Sequence, residues 1–239
     1  SGVYREIDMV TTPSGYPVAM VHANNCTSDL NAWVGLFEEF AETIGTNMNK
    51  NQLFSVLYGK ALEADADCGG LLSYGYLSGE NITGIDKGRP IFIRTPESRF
   101  NLANFMRCHL YASLGTIRIG MDILTEEEHV KLNQIMGHGG LFKTKGVAQR
   151  ITAAAMETPV SVLETAGEGG AWGIALLAAY TVLQKKGESL EEFLEKRVFD
   201  RWSVSRIEPA TEDVEGFRHF MRRYREGVEI EMSAGKYLN

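Results

Sequence analysis

Residues 135–183 repeat one pattern: a short apolar strand, a glycine loop and a helix, then the same again. No other feature constrains this chain as much. The first loop reads Gly137, His138, Gly139, Gly140, Leu141, Phe142, Lys143, Thr144, Lys145, Gly146, and the second Ala166, Gly167, Glu168, Gly169, Gly170. Two such units side by side put two bare-backbone helix N-termini into one crevice. Backbone N–H groups are unpaired there and the helix dipole favours anions. Missing side chains also let a ligand lie against the main chain. The pattern predicts one half of a nucleotide site. The competing explanation of both loops is tight strand-to-helix packing with no ligand.

Several nucleotide and hydrolase motifs are excluded. The first loop is no P-loop, because no Gly-Lys-Ser/Thr follows it. Gly137-x-Gly139-x-x-Phe142 and Gly167-x-Gly169-x-x-Trp172 both lack the third glycine of a dinucleotide fingerprint, and no acidic residue holds the ribose position. There is neither a serine nucleophile elbow nor an HExxH zinc motif. The net charge of −7 argues against nucleic acid, whose phosphates need clustered positive charge. Cys26, Cys68 and Cys108 are isolated and odd in number, so neither a zinc site nor a disulfide framework is indicated, which fits a reducing cytoplasm. The start of the chain carries no signal peptide. The longest apolar run, residues 171–183, is short of the ~20 residues of a membrane span and reads as a buried, sandwiched helix. A length of 239 residues allows one large domain or two small ones.

Along the chain, residues 3–10 and 18–22 predict a hairpin turned at Pro13, Ser14 and Gly15. The chain opens on that hairpin without an initiating Met, as expected of a piece of a longer chain or a processed terminus. Asn24, Asn25 and Asp29 read either as ligand contacts or as a turn and cap, with Thr27, Ser28 or Asp29 capping a helix through Trp33, Phe37 and Phe40. Residues 53–66 read as a helix. Residues 71–99 are loop-rich with short strands such as 91–93, so that 53–99 is expected as an insertion. Residues 102–124 are one long amphipathic helix in which His109 sits as a core or edge histidine rather than a catalyst. Thr125 with Glu126, Glu127 and Glu128 predicts a new capped turn. Val147, Ala148, Ile151, Ala154 and Ala155 form the buried face of the helix after the first loop, ended by Thr158-Pro159. Ser189-x-x-Glu192 is a capping box. Residues 202–209 read as extended, Thr211 as the cap of a last helix with a solvated arginine face (Arg218, Arg222, Arg223, Arg225), and 232–239 as a tail. Residues 186–239 together are expected as a C-terminal helical extension.

Gly137-His138-Gly139-Gly140, then Gln149, Thr158-Pro159-Val160, and Gly167 through Ala175 resemble the adenosine motif of the FGGY family of carbohydrate kinases, most closely its xylulokinase-like members. The helix over 102–124 matches the helix before that motif, and residues 18–33 resemble the strand and turn after the family's second phosphate loop. The resemblance covers residues 4–183. It rests on the order and spacing of several motifs, none specific alone.

The resemblance implies an α/β fold: the C-terminal lobe of an actin-like, ribonuclease-H-like kinase, a mixed β-sheet flanked by helices. It implies a cytoplasmic enzyme that moves the γ-phosphoryl group of ATP, with Mg2+, to a sugar hydroxyl, a pentulose such as xylulose being favoured. The partners implied are sugar, ATP and the N-terminal lobe, with no nucleic acid and no membrane. Gly139 and Gly140 would lie against the ribose and α-phosphate, and Gly169 and Gly170 would border the adenine. Lys143 could meet a phosphate and Thr144 the base. This sequence departs from the family at Leu141-Phe142, where a small residue is usual, and at residues 143–145, where relatives place an Asn. The family's catalytic Asp, in a Gly-Gly-x-Asp loop, and its Mg-binding acid have no counterpart here, so these 239 residues are expected not to phosphorylate sugar alone. Two other classes remain: a non-catalytic actin-like module for binding or assembly, and a nucleotide-dependent hydrolase of the same superfamily. Missing first strands would leave an open sheet edge, so a homodimer is also expected.

Overall fold

The computed structural model describes residues 2–163, 169–201 and 203–238. The architecture is α/β with three small sheets set among helices. Helix α3 (Leu102–Asp122) is its axis. Asn101 caps it, accepting from the Asn104 N–H. Residues 103–116 are all buried, so the stripe read as amphipathic is covered on every side for four turns. That is tolerable because its polar members find partners. Asn104 bonds Asp65 and the Arg99 carbonyl, Ser113 donates to the Leu110 carbonyl, and Thr116 meets the hydroxyls of Tyr76 and Tyr224.

Around this axis pack α1 (Ser28–Thr43), α2 (Lys50–Ala61) and α7 (Thr211–Tyr237), with the antiparallel pair β3 (Leu72–Tyr74) and β4 (Ile91–Ile93). A reciprocal capping box between Asn49 and Gln52 starts α2, which ends at Ala61, earlier than expected. Residues 53–99, expected as an insertion, contribute Leu57, Tyr58, Leu71 and Tyr74 to the same core as Phe217, Phe220 and Tyr224 of α7. Gly115 of α3 lets the Tyr224 ring press onto the helix backbone.

The hairpin β1 (Ile7–Thr11) and β2 (Pro17–Val21) forms as expected, turning at Gly15 with φ 87°. Both strands are exposed along nearly their whole length. Val21 docks the hairpin where Gly120 leaves a gap in α3.

The last sheet carries the glycine loops. Its order is β5 (Ile135–Met136), β6 (Val160–Leu163), β7 (Val204–Ile207), the first pair parallel and the second antiparallel. Helix α4 (Val147–Met156) crosses from β5 to β6 and buries Val147, Ala148, Ile151, Ala154 and Ala155, the face expected. Glu157 in the left-handed region ends it, just before Thr158-Pro159. The Ser189–Glu192 capping box forms at the start of α6 (Leu190–Phe193).

Four expectations are corrected. Thr125 caps nothing: α3 runs on as a π-helical turn over Ile123–Glu127, and Thr125 donates to the Met121 carbonyl. Thr211 makes no side-chain cap on α7, which begins after Ala210. Residues 232–237 are helix, not tail, because buried Glu231 accepts from the Arg89 N–H at 2.6 Å and Gly235 lies against the Lys87 carbonyl. Helix α5 (Gly169–Leu183) is not sandwiched: Ile174 and Val182 are 70% and 80% exposed. Apolar composition demands a cover, and contacts such as Trp172–Phe199 and Tyr180–Phe193 supply part of one. Trp202, part of the segment expected as extended, lies outside the described residues; residues 204–207 are strand.

Candidate functional site

The parallel register Ile135↔Val160 and Met136↔Ser161 decides where the two loops go. Parallel strands run the same way, so the carboxyl ends of β5 and β6, at Met136 and Leu163, lie at the same end of the sheet. Open α/β sheets use that place for ligands. Gly137 continues the ladder by one more bond, its N–H donating to the Ser161 carbonyl at 2.8 Å.

The first loop is built differently from the simple expectation. Gly139 and Gly140 do not begin α4. They open a separate 3-10 turn, Gly140–Lys143, and α4 starts only after Gly146. The glycines divide by purpose. At Gly137 a side chain would collide with the Phe142 ring, 2.5 Å from the position of a Cβ, so that glycine serves packing. Phe142 thus folds back under its own loop, which accounts for a bulky residue where the family resemblance predicts a small one. Gly139 has φ 101° and ψ −178°, a conformation essentially reserved for glycine. Gly140 has neither reason: its φ is not positive, and no atom lies within 4 Å of a Cβ placed there. Among the described residues, the N–H groups of Gly139 and Gly140 donate to no backbone carbonyl outside the turn.

The second loop falls largely outside the described residues, since 164–168 are not among them. Gly169 begins α5, and Gly170 follows in its first turn with open space around a Cβ. The alternative of tight packing without a ligand therefore accounts for Gly137 but not for Gly140 or Gly170. Lys143 closes the 3-10 turn and Thr144 follows it in extended backbone, so both share a loop with Gly139 and Gly140.

Gln149 is tied down: its Nε2 donates to the carbonyls of Val160 at 3.2 Å and Ser205 at 3.0 Å, pinning α4 to β6 and β7. Asn25 and Asp29 resolve toward structure. The Asn25 amide oxygen accepts from the N–H groups of Leu77 and Ser78, and Asp29 accepts from the Trp33 indole at 3.0 Å. No side chain caps α1. His109 is buried among the rings of Trp33, Phe92 and Phe105, and burial lowers its pKa to about 3, so it stays neutral. Its Nδ1 meets Ser73 Oγ at 3.2 Å, a core role as expected. Among the described residues no group of His, Cys, Asp or Glu could hold a metal ion, and no helix is long and apolar enough to cross a membrane.

Residues 2–182 match the model of the C-terminal domain of the FGGY family of carbohydrate kinases. No curated protein sequence matches the chain. Among solved structures, xylulose kinase from Lactobacillus acidophilus is similar with a TM-score of 0.71 and 15% identity, over 98% of this chain and 44% of that one. Gluconate kinase from the same organism gives 0.67 and 15%, over 98% and 44%. Xylulose kinase from Rhodospirillum rubrum gives 0.64 and 16%, over 97% and 43%. The chain thus spans less than half the length of these structures, and at such identities the likeness establishes the fold.

Proposed function

The chain belongs to the FGGY family of carbohydrate kinases, as the match of its C-terminal domain over residues 2–182 shows, and from that premise we propose that it is the nucleotide-holding, actin-like lobe of an ATP-dependent sugar kinase. Gly139 and Gly140 receive the ribose and α-phosphate of ATP, Gly169 and Gly170 border the adenine, and Lys143 and Thr144 complete the first loop. The observation that carries this reading is the bare backbone at Gly140, in the loop after β5, and at Gly170, in the first turn of α5, which neither φ nor packing explains.

Phosphoryl transfer depends mostly on positioning and electrostatics. Loops of this kind can hold the nucleotide, but a base for the acceptor hydroxyl and acidic ligands for Mg2+ must come from elsewhere. The family's catalytic Asp belongs to a Gly-Gly-x-Asp loop that has no counterpart in the sequence, and the described residues contain no acidic metal cluster. On this reading the chain by itself is inactive, and an N-terminal lobe supplies the sugar contacts, the Mg2+ ligand and the general base. The acceptor is a sugar hydroxyl, with a pentulose such as xylulose favoured by the similarity to xylulose kinases.

The test is a calorimetric titration with Mg-ADP and Mg-ATP, beside a Gly140→Val variant. Saturable binding that the variant loses is the expected result. No binding either by this chain or by a version extended upstream through a Gly-Gly-x-Asp loop would overturn the nucleotide assignment.

A further inference from the structure

A second site lies at the other end of the last sheet. Thr158, just before β6 begins, lines a cavity of about 620 Å3 between the ends of α3 and α4 and the middle of α7. The first glycine loop leaves the opposite end of β5, after Met136, away from Thr158. A volume of this size lies within the range of small-molecule sites, about 300–1,000 Å3.

The chemistry of its walls is specific. Arg218, Arg222 and Arg225 stand at i, i+4 and i+7 on α7, one stripe of that helix, and Arg118 of α3 faces the same cavity. Three carboxylates, Asp122, Glu126 and Glu157, line it with them, and Glu215 also pairs with Arg218 at 2.7 Å. The carboxylates act as braces. Asp122 takes Arg118 Nε at 2.5 Å and also pairs with Arg225. Glu157 takes Arg118 at 3.1 Å and Arg218 at 2.5 Å. Arg218 and Arg118 are thereby fixed, while Arg225 spends one amino group on Asp122 and keeps its remaining donors. Arg222 is exposed and, among the described residues, its side chain has no hydrogen bond or ion pair. Met121, Leu132, Met156 and Met221 bring apolar surface to the same lining.

Guanidinium groups held in place by carboxylates, with unspent N–H donors in a cavity that also carries apolar side chains, match a phosphate oxygen set better than a lone carboxylate or a cation. The apolar side chains and the volume call for an organic body attached to that phosphate. We propose that this cavity binds a phosphate monoester of a small metabolite, with Arg222 and Arg225 meeting the phosphate and the methionine side chains of the lining taking the carbon skeleton. The site is independent of the glycine loops and of what they bind.

The test is titration calorimetry of the chain with glucose 6-phosphate and with inorganic phosphate, in parallel with Arg222→Glu and in the presence and absence of Mg-ADP. Arg222 has no internal partner, so its replacement should leave the melting temperature unchanged while weakening glucose 6-phosphate binding by at least about tenfold, a step of roughly 1.4 kcal/mol. Binding should persist with Mg-ADP present and be tighter for glucose 6-phosphate than for inorganic phosphate. Absence of saturable binding, equal binding by the Arg222→Glu variant, competition by Mg-ADP, or inorganic phosphate binding as tightly as the ester would each overturn the proposal. Failure of the glycine loops to bind nucleotide would leave it untouched.

Discussion

Arg107 of α3 and Asp213 of α7 form an ion pair of 3.2 Å in which both side chains are almost wholly buried, 2% and 3% exposed. Arg150 of α4 closes on the same carboxylate at 2.5 Å, so one acid joins α3, α4 and α7. Such a pair gives little net stability compared with apolar packing, but breaking it strands a charge. Asp213→Ala should therefore cost about 3–5 kcal/mol, read as a lower urea midpoint. Asp213→Asn, which keeps a hydrogen-bond acceptor for Arg107, should cost less. Equal midpoints for Asp213→Ala and the unmodified chain would contradict the role assigned to the pair.

Two glycines should respond in opposite ways. A Cβ at Gly216 would run into the Ala66 backbone carbonyl, which has no rotamer to escape into. Gly216→Ala should destabilise by about 1–3 kcal/mol. Gly140 has open space around it, so Gly140→Val should melt within a degree or so of the unmodified chain, since substitutions away from packing and strain are nearly neutral. A large thermal loss in Gly140→Val would mean that this glycine serves folding and not ligand approach.

Glu231 should make stability depend on pH. Burial raises its pKa from 4.5 to about 7, while the Arg89 N–H bond works in the other direction. One carboxylate oxygen has no partner, which suits a neutral acid better than a charged one. With a folded-state pKa above the unfolded value, the folded state holds the proton more tightly. The stabilisation is complete below pH 4.5 and is lost as pH rises toward 7, a change of about 3–4 kcal/mol. Denaturation midpoints across that window should fall more steeply for the unmodified chain than for Glu231→Gln. Parallel slopes would remove Glu231 as the cause.

The β1–β2 hairpin leaves Met9 and Tyr16 67% and 65% exposed, and both of its strand edges lack a further strand among the described residues. Open edges seek pairing. Sedimentation should show concentration-dependent self-association that a proline at Met9, which removes a ladder donor, reduces. A strict monomer at every concentration would exclude association through this edge.

Local signals in the sequence were reliable where one interaction decides the outcome. The Ser189–Glu192 box, the αL end of α4 before Pro159, and the turn at Gly15 each need only neighbours in sequence. An equally local signal, Asn49-x-x-Gln52, marks the start of α2. The readings that failed needed information from far away in the chain. Thr125 and Thr211 look like caps, yet Thr125 is absorbed into the π-helical run of α3 and Thr211 sits inside α7. The last residues look like a tail, and contacts with Lys87 and Arg89, more than a hundred positions earlier, turn them into the end of a docked helix.

The sequence by itself determined that two glycine loops follow two short strands, and hence that this chain could present bare backbone to a nucleotide. The period of apolar residues and the spacing of glycines are local properties, and they survive without knowledge of the fold. Tertiary structure alone decided which glycines are available. Gly137 looks the same as Gly140 in sequence, but the Phe142 ring fills the space beside one and nothing fills it beside the other. The same is true of the arginines of α7. Their number is written in the sequence, but long-range pairing fixes Arg218, Arg223 and Arg225 to acids elsewhere in the chain and leaves Arg222 over a cavity. The Arg223–Asp67 and Arg225–Asp122 pairs join residues more than a hundred positions apart, and no local pattern records them.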